Sequence, residues 1–237
     1  MESHPNAAMA FCDMIHFSGR KILPDFNTNN LTPNGIKATL LFYNVVNHNG
    51  VIINKSLFPN LNYPTMYSVT EDLALWLIIT KTHKIHYMRE NLVLYRIHEK
   101  QARSSMSEVQ RQQEIKIKAP LLLELTGIQK ENHQLIHSLI SYKMVDISDK
   151  KLLTWLHYLD KSNQKTKLYP SNTFKEVLIR MFFTVGIYNN YSTLTFIKSI
   201  FSFGILPLLK FLLNILYNGF LDIVWLRLGI LKGGRLL

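Results

Sequence analysis

The sequence has one cysteine, Cys12, so no internal disulfide can form. That fits a reducing compartment and removes the small disulfide-framed secreted domain from consideration. The first twenty residues contain no basic stretch followed by an apolar one, so no secretory leader is expected. No segment repeats, which excludes solenoids and propellers. There is no Asp-x-Asp anywhere; Asp146 and Asp149 stand three apart in a region of helical pattern. What is plentiful is apolar and aromatic: 47% hydrophobic and 11% aromatic residues in 237, enough for a sizeable core and against disorder.

Acidic residues are also short, and unevenly so. Residues 1–100 hold nine Lys/Arg against seven Asp/Glu, whereas residues 101–237 hold eighteen against nine. The rear half therefore carries +9 of the +11 formal charge. Such an excess suits a polyanionic surface, either phospholipid headgroups or nucleic acid. The basic residues accompany long apolar runs and no Gly-rich or aromatic-basic recognition motif. That favours an anionic membrane surface and disfavours nucleic acid.

The pattern changes near residue 101. In front of it, residues 7–23 predict two strands around the turn FSGRK, and Thr32-Pro33 predicts a helix start with the helix running to about Tyr43. Val51-Ile52-Ile53 reads as a strand after the NHNG turn. Thr70 is the expected N-cap of a buried helix reaching about Lys81, and KIHYM (84–88) and NLVLYRI (91–97) read as two strands joined at Arg89-Glu90. Behind residue 101, helices are expected up to Gly127 and near 131–144, 148–161 and 171–187. The stretch 204–231 is strongly apolar, with Lys210, Asn214, Asn218 and Asp222 recurring every four residues. An amphipathic helix lying in a headgroup layer fits it better than a span, because the Asp222 charge is costly at a bilayer centre. A helix packed on the protein's own core fits equally well.

One stretch carries chemistry. TEDLALWLI (70–78) places Glu71 and Asp72 at a helix start, where the dipole favours carboxylates. Alone, such a pair is more often structural. It is followed by Trp76 in a Leu-Trp helix, then by Tyr95-Arg96-Ile97-His98, and it is preceded by NHNGVIINKSLF. This order resembles the end of the catalytic domain of bacterial family-two glycosyltransferases, which have the GT-A fold, over roughly residues 5–105.

The resemblance implies an α/β fold, a partial GT-A mixed sheet over 1–105, then a helical region over 106–203 and an amphipathic helix with a basic tail over 204–237. It implies inverting transfer of a sugar from a nucleotide-sugar to a hydroxyl of a glycan or lipid-linked acceptor in surface polysaccharide synthesis. The place would be the cytoplasmic face of the plasma membrane. Asp72 would be the base, Glu71 its neighbour near the acceptor and His98 a ligand to a divalent cation, Mg²⁺ or Mn²⁺. Arg96 would face diphosphate, or hold its loop through Glu90 or Glu99. Trp76 would be an acceptor platform or a core residue, of which core is the commoner role. The sequence departs from the family at Ala74, where an aspartate is usual, and in the absent Asp-x-Asp; the donor-binding half is expected to be missing. The alternative is a non-catalytic, membrane-associated scaffold. His133 and His137, spaced i, i+4, have the spacing of a zinc clasp but lack a third ligand.

Overall fold

A computed structural model describes residues 1–22, 31–59, 61–98, 107–128, 131–141 and 147–192, together with 195, 201–204 and 209. It is mixed α/β, with a four-stranded sheet and six α-helices among the described residues. Contacts divide the chain into two units. The first contains Met1–Leu40 and Asn44–Glu114; the second contains Leu41–Tyr43 and the chain from Ile115 onward.

The first unit is built on β1 (Ala7–Ser18). Its near-continuous apolar run, AAMAFC, is buried on both faces, as a central strand requires. β1 turns at Gly19 into the short β2 (Lys21–Ile22); Gly19 has φ +59°, the positive value that a two-residue hairpin loop demands. β3 (Val51–Ile53) pairs antiparallel with Met9–Phe11, and β4 (Lys84–Arg96) runs parallel to nearly all of β1. Helix α1 (Pro33–Thr39) is capped by Thr32, whose Oγ1 accepts from the Gly35 amide at 3.1 Å. It is shorter than expected, ending before Leu40. Helix α2 (Glu71–Thr82) buries Leu73, Leu75, Trp76 and Ile79 completely or nearly so.

The hairpin expected over residues 84–97 is not there: β4 is one continuous strand. Arg89-Glu90 has no turn chemistry, and the length of β1 offers a partner on both sides of it. Pairing steps from Cys12 opposite Met88 to Asp13 opposite Asn91, so Arg89 and Glu90 bulge outward, both exposed. Beside this irregularity Asp13 is buried and accepts a hydrogen bond from the Tyr87 hydroxyl at 2.5 Å, one partner that lets a carboxyl sit inside the sheet.

Helix α3 (Ser107–Thr126) ends at Gly127, with φ +68°, as expected. The second unit adds α4 (Glu131–Ser141), α5 (Asp149–Thr166) and α6 (Ser171–Tyr188), close to their predicted spans, and no strand follows β4 among the described residues. Ser148 caps α5 by accepting from the Lys151 amide, and Lys167 closes it in the left-handed conformation. Leu156, Leu159, Phe174 and Phe182 form its interior. Two buried donors hold the 41–43 segment: Lys118 Nζ donates to the Phe42 carbonyl at 2.6 Å, and His137 Nε2 to the Leu41 carbonyl at 2.7 Å. With one nitrogen engaged this way and the His133 ring against Trp155 and Tyr158, HQLIH is a packing feature. No described helix is long and apolar enough to cross a membrane; 211–231, the greater part of the apolar stretch, lies outside the described residues, as does the basic tail.

Candidate functional site

The start of α2 is set in place by a glutamine. Gln113, on the first part of α3, accepts from the Thr70 hydroxyl at 2.9 Å and from the Val69 amide at 3.3 Å, and its Nε2 donates to Ser68 Oγ at 3.3 Å. Thr70 thus occupies the expected N-cap position, but its side chain serves Gln113 and makes no capping bond. The first turn carries the two acids into a small polar cluster.

Asp72 is held at both oxygens. Oδ2 accepts from Asn44 Nδ2 at 2.9 Å, and Oδ1 accepts from the Leu73 amide at 2.6 Å. Asn44 is itself fixed, because its Oδ1 accepts from the Val46 amide at 3.1 Å. That bond settles which end of the amide faces Asp72. Burial raises the carboxyl's pKa above its ordinary value, with the Glu71 charge adding to the rise; the Leu73 amide, His48 and Asn44 oppose it. Glu71 Oε2 is buried with no hydrogen-bond partner among the described residues.

Two further groups flank the pair. His48, in the 3₁₀ turn His48–Gly50, shares a 2.9 Å hydrogen bond through Nε2 with the Tyr63 hydroxyl. The Tyr63 pKa is raised by burial and then by the Asp72 and Glu71 charges. The His48 ring meets the edge of Trp76 at 5.8 Å between centroids. Trp76 is 0% exposed, so its indole supports His48 from within the core and offers no surface to a ligand.

The structure therefore gathers Asn44, His48, Tyr63, Glu71 and Asp72. Sequence reasoning named only the two acids. The NHNG turn was visible as a turn, but nothing in one sequence says that its histidine comes back to a helix more than twenty residues later. Arg96 lies opposite Phe17 near the far end of β4 and His98 follows it; both are exposed. Neither is among the groups that set the ionisation of Asp72. Among the described residues no three His, Cys, Asp or Glu side chains gather as metal ligands.

The cluster sets groups that can exchange protons side by side. Asp72 is a fixed carboxyl whose affinity for a proton is raised, Glu71 has an unused acceptor oxygen, and Tyr63 and His48 supply a donor–acceptor pair beside them. No family model, curated protein or solved structure matches the chain.

Proposed function

We propose that the cluster at the start of α2 is the acceptor side of a glycosyltransferase, with Asp72 as general base. The observation that supports this most is Asp72 itself, which is anchored by Asn44 and the Leu73 amide while burial pushes its pKa up. A base is most effective when its proton affinity approaches the working pH. Asp72 takes the proton of an acceptor hydroxyl as that oxygen bonds to the anomeric carbon of a nucleotide-sugar. The bond from that carbon to the diphosphate oxygen breaks, the nucleoside diphosphate leaves with the electron pair, and the anomeric centre inverts. Glu71 accepts a hydrogen bond from a neighbouring acceptor hydroxyl. The acceptor is a glycan or a lipid-linked sugar at the inner face of the plasma membrane.

The test is sugar transfer from labelled nucleotide-sugars in membranes of cells expressing the full chain. Asp72→Asn should lower turnover by about 10²- to 10⁴-fold, the usual contribution of a positioned base. Normal turnover in that variant would remove Asp72 from the role. The second reading, a non-catalytic membrane-associated scaffold, is favoured by one observation: the sequence contains no Asp-x-Asp to hold a diphosphate. On that reading, neither wild type nor variant transfers sugar.

A further inference from the structure

The second unit presents a basic face that owes nothing to the cluster on α2, nor to the sugar-transfer reading. On α5, Lys150, Thr154, Tyr158, Lys161 and Lys165 recur at i, i+4, i+8, i+11 and i+15, one stripe of a helix, with Lys151 beside it. Lys150, Lys151, Lys161 and Lys165 are exposed, as is Lys167 just past the helix end. None of the five forms an ion pair among the described residues. The acids of the helix are turned away from this stripe. Asp160 is buried, accepts from Gln164 and faces Lys175 at 3.8 Å, while Asp149 sits in the first turn with Oδ1 on the Lys150 amide. Lys161 and Lys165 are a like-charge pair one turn apart, an arrangement that by itself destabilises a helix slightly.

A short aromatic segment packs at the edge of this face, on His157. His157 shares a 2.8 Å hydrogen bond through Nε2 with Ser202 Oγ and stacks on Phe203 at 4.4 Å between centroids. Phe203 is buried, whereas Phe201 is 58% exposed. Directly beyond, the sequence continues as ILPLLKFLLNILYNGF. A lysine stripe, and an exposed aromatic residue next in sequence to the segment packed on His157, match the requirements of a headgroup layer: point charges for phosphates and a ring for the acyl boundary. Recognition of nucleic-acid bases would instead favour guanidinium forks or free rings for stacking. The exposed cations of this face are all lysine, and Tyr158 is already stacked on Trp155.

We propose that the lysine face of α5, together with Phe201 next to the segment packed on His157, docks the protein on an anionic phospholipid bilayer. The probe is flotation of the full chain with phosphatidylcholine vesicles, alone and with phosphatidylserine added, over a salt series. Wild type should prefer the anionic vesicles and lose that preference as salt rises. Replacing Lys150, Lys151, Lys161 and Lys165 by Gln should weaken partition onto anionic vesicles about fivefold per lysine and leave partition onto neutral vesicles unchanged. The same four positions changed to Arg should keep the preference, which separates charge from fold. Phe201→Ser should lower partition onto both vesicle types. If the Gln variant floats with anionic vesicles as well as wild type does, the face is not the docking surface. The same follows if the Gln variant instead loses a salt-sensitive affinity for oligonucleotides that exceeds wild type's affinity for vesicles.

Discussion

At the scale of single residues, Asp72 makes a claim that can be measured without substrate. Its pKa is raised above the ordinary 3.8, mainly by burial. The folded state then holds the proton more tightly than the unfolded chain, so ionisation works against folding. This contribution lowers stability as pH rises from the unfolded carboxyl value through the folded one. Asp72→Asn cannot ionise. Whatever the variant costs by placing an amide against Asn44, its stability relative to wild type should improve as pH rises past the ordinary carboxyl value of 3.8 and level off once Asp72 is ionised in the folded state. Denaturant melts of both proteins across a pH series would show it. The comparison also cancels His137, which runs the other way: burial pushes its pKa down to about 3, so wild type and variant alike lose stability as pH falls below 6.5. If the variant's relative stability instead falls with rising pH, the native state favours the carboxylate, and Asp72 is a helix-start acid and not a tuned base. The sequence showed the acid pair and its place on a helix. It could not show Asn44, His48 or Tyr63 beside them, because loops bring those residues in and loop paths leave no periodic trace.

At the scale of elements, the 3₁₀ turn that carries His48 is held close to the central strand by a glycine. A Cβ on Gly50 would lie 2.9 Å from Cys12 Sγ and 3.2 Å from the Cys12 carbonyl oxygen. Gly50→Ala should therefore cost about 1–3 kcal/mol, the usual range for forcing a methyl into a packed site. Adding Cys12→Ala should return part of the loss, since the sulfur goes but the carbonyl stays; equilibrium unfolding of the two single variants and the double one isolates that coupling. Strict additivity would mean that Gly50 and Cys12 do not touch in solution. The same pair explains Cys12, which reads as a small buried residue and is one. Helices α4 to α6 were legible because their apolar residues recur with a helical period. β4 was misread because the break at Arg89-Glu90 looks like a connection in sequence, and only the partner strand shows that the chain bulges there and continues.

At the scale of the whole molecule, the two units differ in how far apart in sequence their partners lie. α5 and α6 are consecutive and joined by a short loop, so their packing closes little chain. In the first unit, β1 must find β4 in parallel, with Ala7 opposite Lys84. Every residue between them has to be gathered before that ladder is rewarded. This is also why the helical rear could be read from local pattern whereas the parallel pairing could not: periodicity is local and the pairing is not. The expected consequence is an order of folding. In refolding followed by pulsed hydrogen exchange, amides of 150–166 and 171–188 should become protected at least about tenfold sooner than those of β1 and β4, as expected when local contacts form ahead of distant ones. The cluster around Asp72 should appear with the slow phase, because α2 lies between the paired strands. Simultaneous protection of both sets would mean that the parallel ladder forms as fast as the helical packing, and that the order of events is not set by sequence separation.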